Sequence, residues 1–503
     1  MRTQRQSFFP AARMSTGIAG LDNILGGGLT PNRVYLIEGS PGAGKTTLAL
    51  QFLLRGAELG EGGLYITLSE TRSELLAVAY AHGWNVHALS IVELLSDEGL
   101  DPEYEQSILH PAEVELGETV ENVMRQVETL RPVRIVLDSL SELRLLSQNP
   151  LRYRRQILAL KRYFATRECT VYLLDDNTSD PGDLQLHSIA HGVISLDQLV
   201  HDYGGARRRV RVAKMRGIKF REGFRDFTLE TGGIDVYPRL IAAEHHAEFS
   251  STPVSTGSEG LDAMLGGGLI PGTNALLIGP SGVGKTTTVV CCLMAALKRG
   301  ERCIYYLFDE TLGTLLARSK SLGMDLSAYL GNGLLTLRQI DPAEMSPGQF
   351  TSDVREAVEE EGVTYVAIDS LNAYLQAMPG ERYLLLLQMH ELLGYLNQRG
   401  IVTMLVLGQH GIVGEVQTDI DISYLSDVMV LFRYFEHQGE VLTALAAVKS
   451  RGSAHERTIR QFRLAYGGLE LSEALRDFDG VLAGLPAYRG DSAMLGSPAA
   501  MGR

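Results

Sequence analysis

The sequence predicts an α/β protein of two tandem domains with parallel-sheet cores, and three observations predict it. A long segment is duplicated: STGIAGLDNILGGGL from Ser15 returns as STGSEGLDAMLGGGL from Ser255, and GSPGAGKTT from Gly39 returns as GPSGVGKTT from Gly279, each 240 residues on. Apolar runs of strand length recur within a copy (NRVYLIEG, GGLYITLSE, VRIVLDS, CTVYLLDD), as expected of strands buried on both faces. Segments with helical spacing, such as LRYRRQILALKRYFATRE, separate those runs, and alternation of this kind implies right-handed crossovers onto a parallel sheet.

A repeat of this length is a duplicated domain, because solenoid units run about 20–50 residues. RIVLDSL ending at Leu140 recurs as YVAIDSL ending at Leu371, SET at Ser69 as DET at Asp309, and KMRG at Lys214 as KSRG at Lys449. The polar stretch EHHAEFSSTP, from Glu244 to Pro253, has linker composition. The expected domains are therefore 1–248 and 249–485, with a Gly-, Ala- and Ser-rich tail over 486–503 expected to be flexible.

Composition excludes several classes. Among 503 residues, 45% are hydrophobic and 21% charged, ordinary values for a globular protein. No uninterrupted apolar run approaches the ~18 residues of a membrane span, and the first residues lack the apolar core of a secretory signal, so a cytoplasmic protein is expected. The four cysteines (Cys169, Cys291, Cys292, Cys303) have neither paired spacing nor companion histidines, and read as buried reduced thiols. A net charge of −14 disfavours nucleic acid, whose phosphates are bound through clustered cations. Arg207, Arg208, Arg209 and Arg211 form the one basic run that argues otherwise; placed just before KMRG, it is expected to line a subunit interface.

The glycine loops carry the chemistry. Gly39-x4-Gly44-Lys45-Thr46 and Gly279-x4-Gly284-Lys285-Thr286 each follow an apolar strand and open an apolar helix. In that context successive backbone N–H groups curl around an anion at a helix N-terminus, the lysine adds a charge on the outer phosphates, and the hydroxyl ligates Mg²⁺. The expected ATP-binding residues are Gly39, Ser40, Gly42, Ala43, Gly44, Lys45, Thr46 and Thr47, with Gly279, Ser281, Gly282, Val283, Gly284, Lys285, Thr286 and Thr287. Asp138 and Asp369 end apolar strands, where a carboxylate joins Thr46 or Thr286 in holding Mg²⁺. Glu70 and Glu310 end the strand after each loop's helix, at the sheet edge where α/β folds bind ligands, and are candidates for orienting and deprotonating water.

With these motifs assembled, the chain resembles the KaiC-type family of tandem RecA-fold ATPases, from Ser15 to about Leu485. The resemblance implies a homohexamer of two rings, ATP between neighbouring subunits, slow hydrolysis mainly in the N-terminal ring, and Ser/Thr autophosphorylation in the C-terminal ring, in a signalling or timing role. It also implies that Lys214, Met215 and Arg216, with Lys449, Ser450 and Arg451, reach the nucleotide of the adjacent subunit, supplying cations in trans. Two departures stand out. Where the family presents adjacent glutamates, this chain has Ser69–Glu70 and Asp309–Glu310. Where the family has its phosphorylated Ser–Thr pair, this chain has Ser423–Tyr424, and a phenol is bulkier with a pKa near ~10. Ser423 is the candidate acceptor, Thr418 and Ser426 its neighbours, and Asp309 its family-matched base.

Two other readings compete: a RecA/RadA-like DNA-dependent ATPase, distinguished by salt-sensitive stimulation by single-stranded DNA, and an ATP-gated assembly scaffold with little hydrolysis, distinguished by turnover unaffected by Glu70→Gln and Glu310→Gln. The partners implied are further copies of the chain; membrane and nucleic acid are not expected.

Overall fold

The structure, a computed structural model, describes residues 13–94, 111–147, 149–176, 185–200, 204–376, 382–409, 423–482 and 486–488. It divides into two compact units, Met1–Arg239 and Leu240–Arg503. Residues expected to form a linker thus begin inside the second unit. There Leu240 is buried in the core, and His245 meets the ring of Tyr395 and lies 3.3 Å from Glu359.

The first unit's strands are β1 (Val34–Gly39), β2 (Gly63–Thr67), β3 (Leu89–Glu93), β4 (Arg134–Asp138), β5 (Thr170–Asp176), β6 (Gly192–Leu199), β7 (Arg207–Met215), β8 (Arg225–Glu230) and β9 (Gly233–Val236). They form one sheet in the order β3-β2-β4-β5-β1-β6-β7-β8-β9. The second unit repeats the design with β10 (Asn274–Pro280), β11 (Cys303–Leu307), β12 (Leu335–Gln339), β13 (Tyr365–Asp369), β14 (Val402–Gln409), β15 (Val428–His437), β16 (Glu440–Ser450), β17 (Ile459–Ala465) and β18 (Gly468–Ala474), in the order β12-β11-β13-β14-β10-β15-β16-β17-β18.

Each sheet is mixed. Six strands are parallel, and the last three join as antiparallel neighbours, a meander that the parallel-core expectation did not include. Its sequence shows why. Along Arg207–Met215 buried Val210 and Val212 alternate with exposed Arg211 and Ala213, the period-two pattern of a sheet with one solvated face. The parallel strands bury both faces: in the first unit the cluster containing Tyr35, Ile37 and Tyr65 lies on one side and that containing Leu36, Ile66 and Ile135 on the other.

The duplicated STG…LD motif is architectural. Asp22 accepts hydrogen bonds from Ser15 Oγ (2.6 Å), Thr16 N and Thr16 Oγ1 (both 2.8 Å), and Asp262 repeats all three with Ser255 and Thr256. At the end of the motif Gly28 and Gly268 have φ of 116° and 121°, and a Cβ there would lie 2.4 and 2.2 Å from the carbonyl oxygens of Met14 and Val254, so only glycine fits.

Two further expectations meet the structure here. The tail does not begin free: β19 (Phe478–Asp479) pairs with β20 (Ala487–Tyr488), because the Tyr488 ring packs against Phe478 and His437; residues 489–503 lie outside the described region. The four cysteines are free and buried, and burial pushes the Cys303 thiol up to about 12. No helix among the described residues is long and apolar enough to cross a membrane.

Candidate functional site

Both glycine loops leave the C-terminal end of a central strand and enter a 14-residue helix, Lys45–Glu58 in one unit and Lys285–Lys298 in the other. Gly44 and Gly284 cap these helices at φ of 100° and 109°, and Gly42 and Gly282 sit at 78° and 77°; these left-handed angles aim consecutive N–H groups into one concavity. The lysines bind the loop itself. Lys45 Nζ donates to the carbonyls of Gly39 (2.8 Å) and Ser40 (3.0 Å), and Lys285 Nζ to those of Gly279 (2.7 Å) and Pro280 (2.6 Å).

The Asp-bearing strands deliver their carboxylates to these helix starts. Thr286 Oγ1 donates to Asp369 Oδ2 at 2.6 Å, and Tyr305 OH donates to the same oxygen at 2.9 Å. In the first unit Tyr65 OH donates to Asp138 Oδ2 at 2.5 Å, and Thr46 lies against that Tyr65 hydroxyl. Burial raises the pKa of both aspartates above the ordinary carboxylate value, opposed by these hydrogen bonds and by Lys45 or Lys285. A buried carboxylate beside a hydroxyl is a hard-oxygen donor set that suits Mg²⁺, which takes few protein ligands and completes its shell with phosphates and water. Among the described residues no cluster of three or more His, Cys, Asp or Glu could hold a metal ion.

In the second unit Lys285, Thr286 and Asp369 line a cavity of about 550 Å³, together with Gly282, Asp309, Glu310 and Arg318. Asp309 accepts a hydrogen bond from Ser370 Oγ, and Glu310 Oε2 accepts one from Arg318 Nη2 at 2.8 Å. In the first unit Glu70 Oε2 is buried with no hydrogen-bond partner among the described residues. Burial, followed by the charges of Asp138, Glu74 and Asp176, raises its pKa, and Lys45 opposes them. Lys45 itself pairs with Asp176 at 2.8 Å.

Sequence reasoning missed Tyr65, Tyr305, Asp176 and Arg318. The tyrosines left a signal, since they too recur 240 residues apart. Asp176 and Arg318 left none, because each belongs to one copy alone.

The trans-acting elements and the acceptor lie elsewhere. Met215 stands level with Gly192 and hence with Tyr35, four residues before Gly39, which is about 13 Å along the strand. Lys449 stands level with Met429 and hence with Leu276, at the same edge. Both KxRG elements thus occupy the sheet edge opposite their own loops. Lys214 donates to the carbonyls of His187 and Ala190 (3.0 Å), Arg216 to Ser188 O (2.8 Å), and Lys449 to Ser426 O (2.6 Å); Arg451 lies 3.6 Å from Asp427. Ser423 opens the short 3₁₀ turn Ser423–Leu425 before β15, again at that far edge; Thr418 lies outside the described residues. The Arg207–Arg211 run proves to sit at the loop end of β7, away from KMRG. Arg207 binds Asp226 at 2.8 Å, while Arg209 and Arg211 stack on Phe224.

A six-stranded parallel core, a phosphate loop at its central strand and a buried aspartate two strands away, all present twice, define a tandem RecA-like P-loop nucleotide-binding protein. The KaiC ATPase family matches residues 14–241 and 254–476, so the chain belongs to that family. It is 28% identical over 490 residues to the circadian clock oscillator protein KaiC of Parathermosynechococcus lividus, covering 94% of this chain and 88% of the relative. It is 27% identical to the circadian clock protein KaiC3 of Synechocystis sp., covering 95% of each, and 27% identical to the KaiC oscillator protein of Synechococcus elongatus, covering 94% and 92%.

Proposed function

We propose that the chain binds Mg²⁺-ATP in both domains and hydrolyses it within a homohexamer, and that its C-terminal domain has serine autokinase capacity directed at Ser423, in a signalling or timing role. The observation that carries the reading is the convergence, in each domain, of a left-handed glycine loop, its lysine and a buried aspartate, with the Lys285–Thr286–Asp369 set opening on a cavity of pocket size.

Lys45 and Lys285 would exchange loop carbonyls for phosphate oxygens; Thr46 with Asp138 and Thr286 with Asp369 would hold Mg²⁺, which neutralises charge on the outer phosphates. In hydrolysis a water oxygen bonds to the γ-phosphorus as the bond from that phosphorus to the bridging oxygen breaks. One water proton passes to Glu70 or Glu310 and the other stays on inorganic phosphate, leaving ADP. A buried carboxylate with an unused lone pair and a raised pKa is a stronger base than a solvated one, which favours Glu70 for this role.

Topology supports assembly. The KxRG cations and Ser423 lie at the edge of the sheet away from their own loop, so they do not reach a nucleotide held by that loop, which supports their serving one held by another copy. Asp309 likewise could take a proton from Ser423 only across such an interface. The names of the relatives support a timing role.

Nucleotide content after gel filtration tests the binding reading. The wild-type chain should retain two nucleotides, Lys45→Ala or Lys285→Ala one, and the double variant none; retention unaltered in the double variant would overturn it. Intact mass after incubation with Mg-ATP tests the kinase reading, which requires a gain of one phosphate that Ser423→Ala abolishes.

A further inference from the structure

One difference between the two domains falls on the helix beside the candidate base. Arg318 lies on the helix Leu312–Ser321, which follows Glu310, and lines the C-terminal cavity with Lys285, Thr286 and Asp369. Its guanidinium donates to Glu310 Oε2 at 2.8 Å. The same turn of the duplicated helix, Arg72–Ala81, carries Val78, 240 residues earlier. Valine has nothing to donate, and there the carboxylate of Glu70 keeps a buried oxygen with no hydrogen-bond partner among the described residues. The duplication supplies its own control, because strand order, loop geometry and the position of the glutamate are shared.

We propose that Arg318 is a positioning residue that ties Glu310 into an ion pair and so restrains hydrolysis at the C-terminal site, making it a site that retains triphosphate. The proposal rests on the reading of both sites as ATP sites. The charge-assisted hydrogen bond holds the Glu310 carboxylate toward the guanidinium and away from the place where water must be oriented. Glu70 Oε2 accepts no such hydrogen bond among the described residues. Glu310 would regain the role of base if the guanidinium were removed.

The experiment compares steady-state ATP turnover of the full-length wild type, Arg318→Val, Arg318→Lys, Glu310→Gln and the Arg318→Val/Glu310→Gln double variant. Alongside, it measures affinity for a non-hydrolysable ATP analogue and the ratio of ATP to ADP retained after gel filtration. Arg318→Val should raise turnover attributable to the C-terminal site about tenfold, shift the retained nucleotide toward ADP, and leave analogue affinity within about twofold of wild type. Arg318→Lys, which keeps a cation, should stay near wild type, and the double variant should lose the gain. Unchanged turnover, or a gain that survives Glu310→Gln, overturns the proposal. So does a fall in turnover with tenfold weaker analogue binding, which would make Arg318 a phosphate ligand. Should Arg318→Val fold poorly, Arg318→Gln repeats the comparison with a side chain of similar length. A wild-type chain that retains no nucleotide defeats the ATP-site reading itself, whereas one that binds and turns over ATP without these responses defeats this proposal alone.

Discussion

In the N-terminal domain the loop lysine is paired and, among the described residues, the candidate base is not: Lys45 contacts Asp176, while Glu70 Oε2 is buried without a hydrogen-bond partner. In the C-terminal domain the base is paired. Arg318 holds Glu310, and the strand position that carries Asp176 is occupied by Gly408, level with Gly279 as Asp176 is level with Gly39. A third contrast follows from Asp309. It receives the Ser370 hydroxyl, whereas Ser69 stands in its place in the first copy and the corresponding Ser139 hydroxyl is left buried without a partner among the described residues. One backbone therefore frames two electrostatic arrangements, and the difference teaches that side chains around the loop, not the loop, set what each site does with a bound triphosphate.

The largest expected effect breaks the comparison most directly. Removing a general base typically costs about 10²–10⁴-fold in rate. Glu70→Gln should therefore reduce total steady-state hydrolysis to the residual C-terminal contribution, while Glu310→Gln should lower it by less than about twofold. Equal losses measured in a coupled phosphate-release assay would erase the distinction between the domains. Next in size is a stability effect confined to one copy. Arg134 is fully buried at the start of β4, with Nε 2.6 Å from Glu61 and Nη1 donating to the carbonyls of Ser15 (2.8 Å) and Phe52 (2.7 Å). Replacing it with methionine strands the buried carbonyl of Phe52 and the partly buried one of Ser15, a cost of about 2–4 kcal/mol. Calorimetry should show the N-terminal transition lowered and the C-terminal one unmoved, since Tyr365 holds that strand position in the second copy and Arg299 makes the matching contacts to Glu301 (2.8 Å) and the Ser255 carbonyl (2.9 Å).

Much of the fold was legible because duplication and hydrophobic patterning are long-range, redundant signals: strand runs such as VRIVLDS and the 240-residue repeat each point to a doubled parallel core. The antiparallel extension was less legible, since its alternating strands lack the uniform burial of the centre. Within the site, loop glycines, lysines and aspartates could be read as a pattern because phosphate chemistry prescribes their spacing. Asp176 and Arg318 could not. Their roles arise from strand register and helix phase, which bring together residues with no shared motif, and each is single to its copy. The far-edge placement of the KxRG elements also needed the sheet order, because adjacency along β7 and β16 says nothing about which end meets the loop.

A pH dependence sharpens the comparison further. Burial lowers the pKa of Lys285 from 10.5 to about 8, with Asp369 opposing the shift. Phosphate binds the ammonium form and raises its pKa again, so between those two values the complex carries more protons than the free site. Analogue affinity at the C-terminal site should thus be flat below about pH 8 and weaken above it, by at most about tenfold per unit. The unliganded fold should respond with opposite sign. Between about pH 8 and 10.5 the unfolded lysine binds more protons than the folded one, so this group adds stability as pH rises through that window. Titration calorimetry on Lys45→Ala, which isolates the C-terminal site, should resolve the affinity trend; constant affinity from pH 7 to 9.5 would remove Lys285 as the responsive group.

The smallest effect concerns the pair that the second copy lacks. Before Lys45 can meet a phosphate it must leave Asp176, whose side chain is 31% exposed, so solvent screens the pair and limits what its rupture costs. Asp176→Gly copies Gly408 into the first domain, removes a carboxylate from the neighbourhood of both Glu70 and the incoming polyphosphate, and spares the loop. Affinity for a non-hydrolysable analogue at the N-terminal site, measured in the Lys285→Ala background, should rise about two- to fivefold, in line with the ~0.5–1 kcal/mol of a partly exposed pair. Loss of affinity instead would mean that Asp176 helps to hold the divalent ion. The two sites would then differ in how they bind metal, and the contrast between a paired lysine and a paired base would have to be redrawn around that ion.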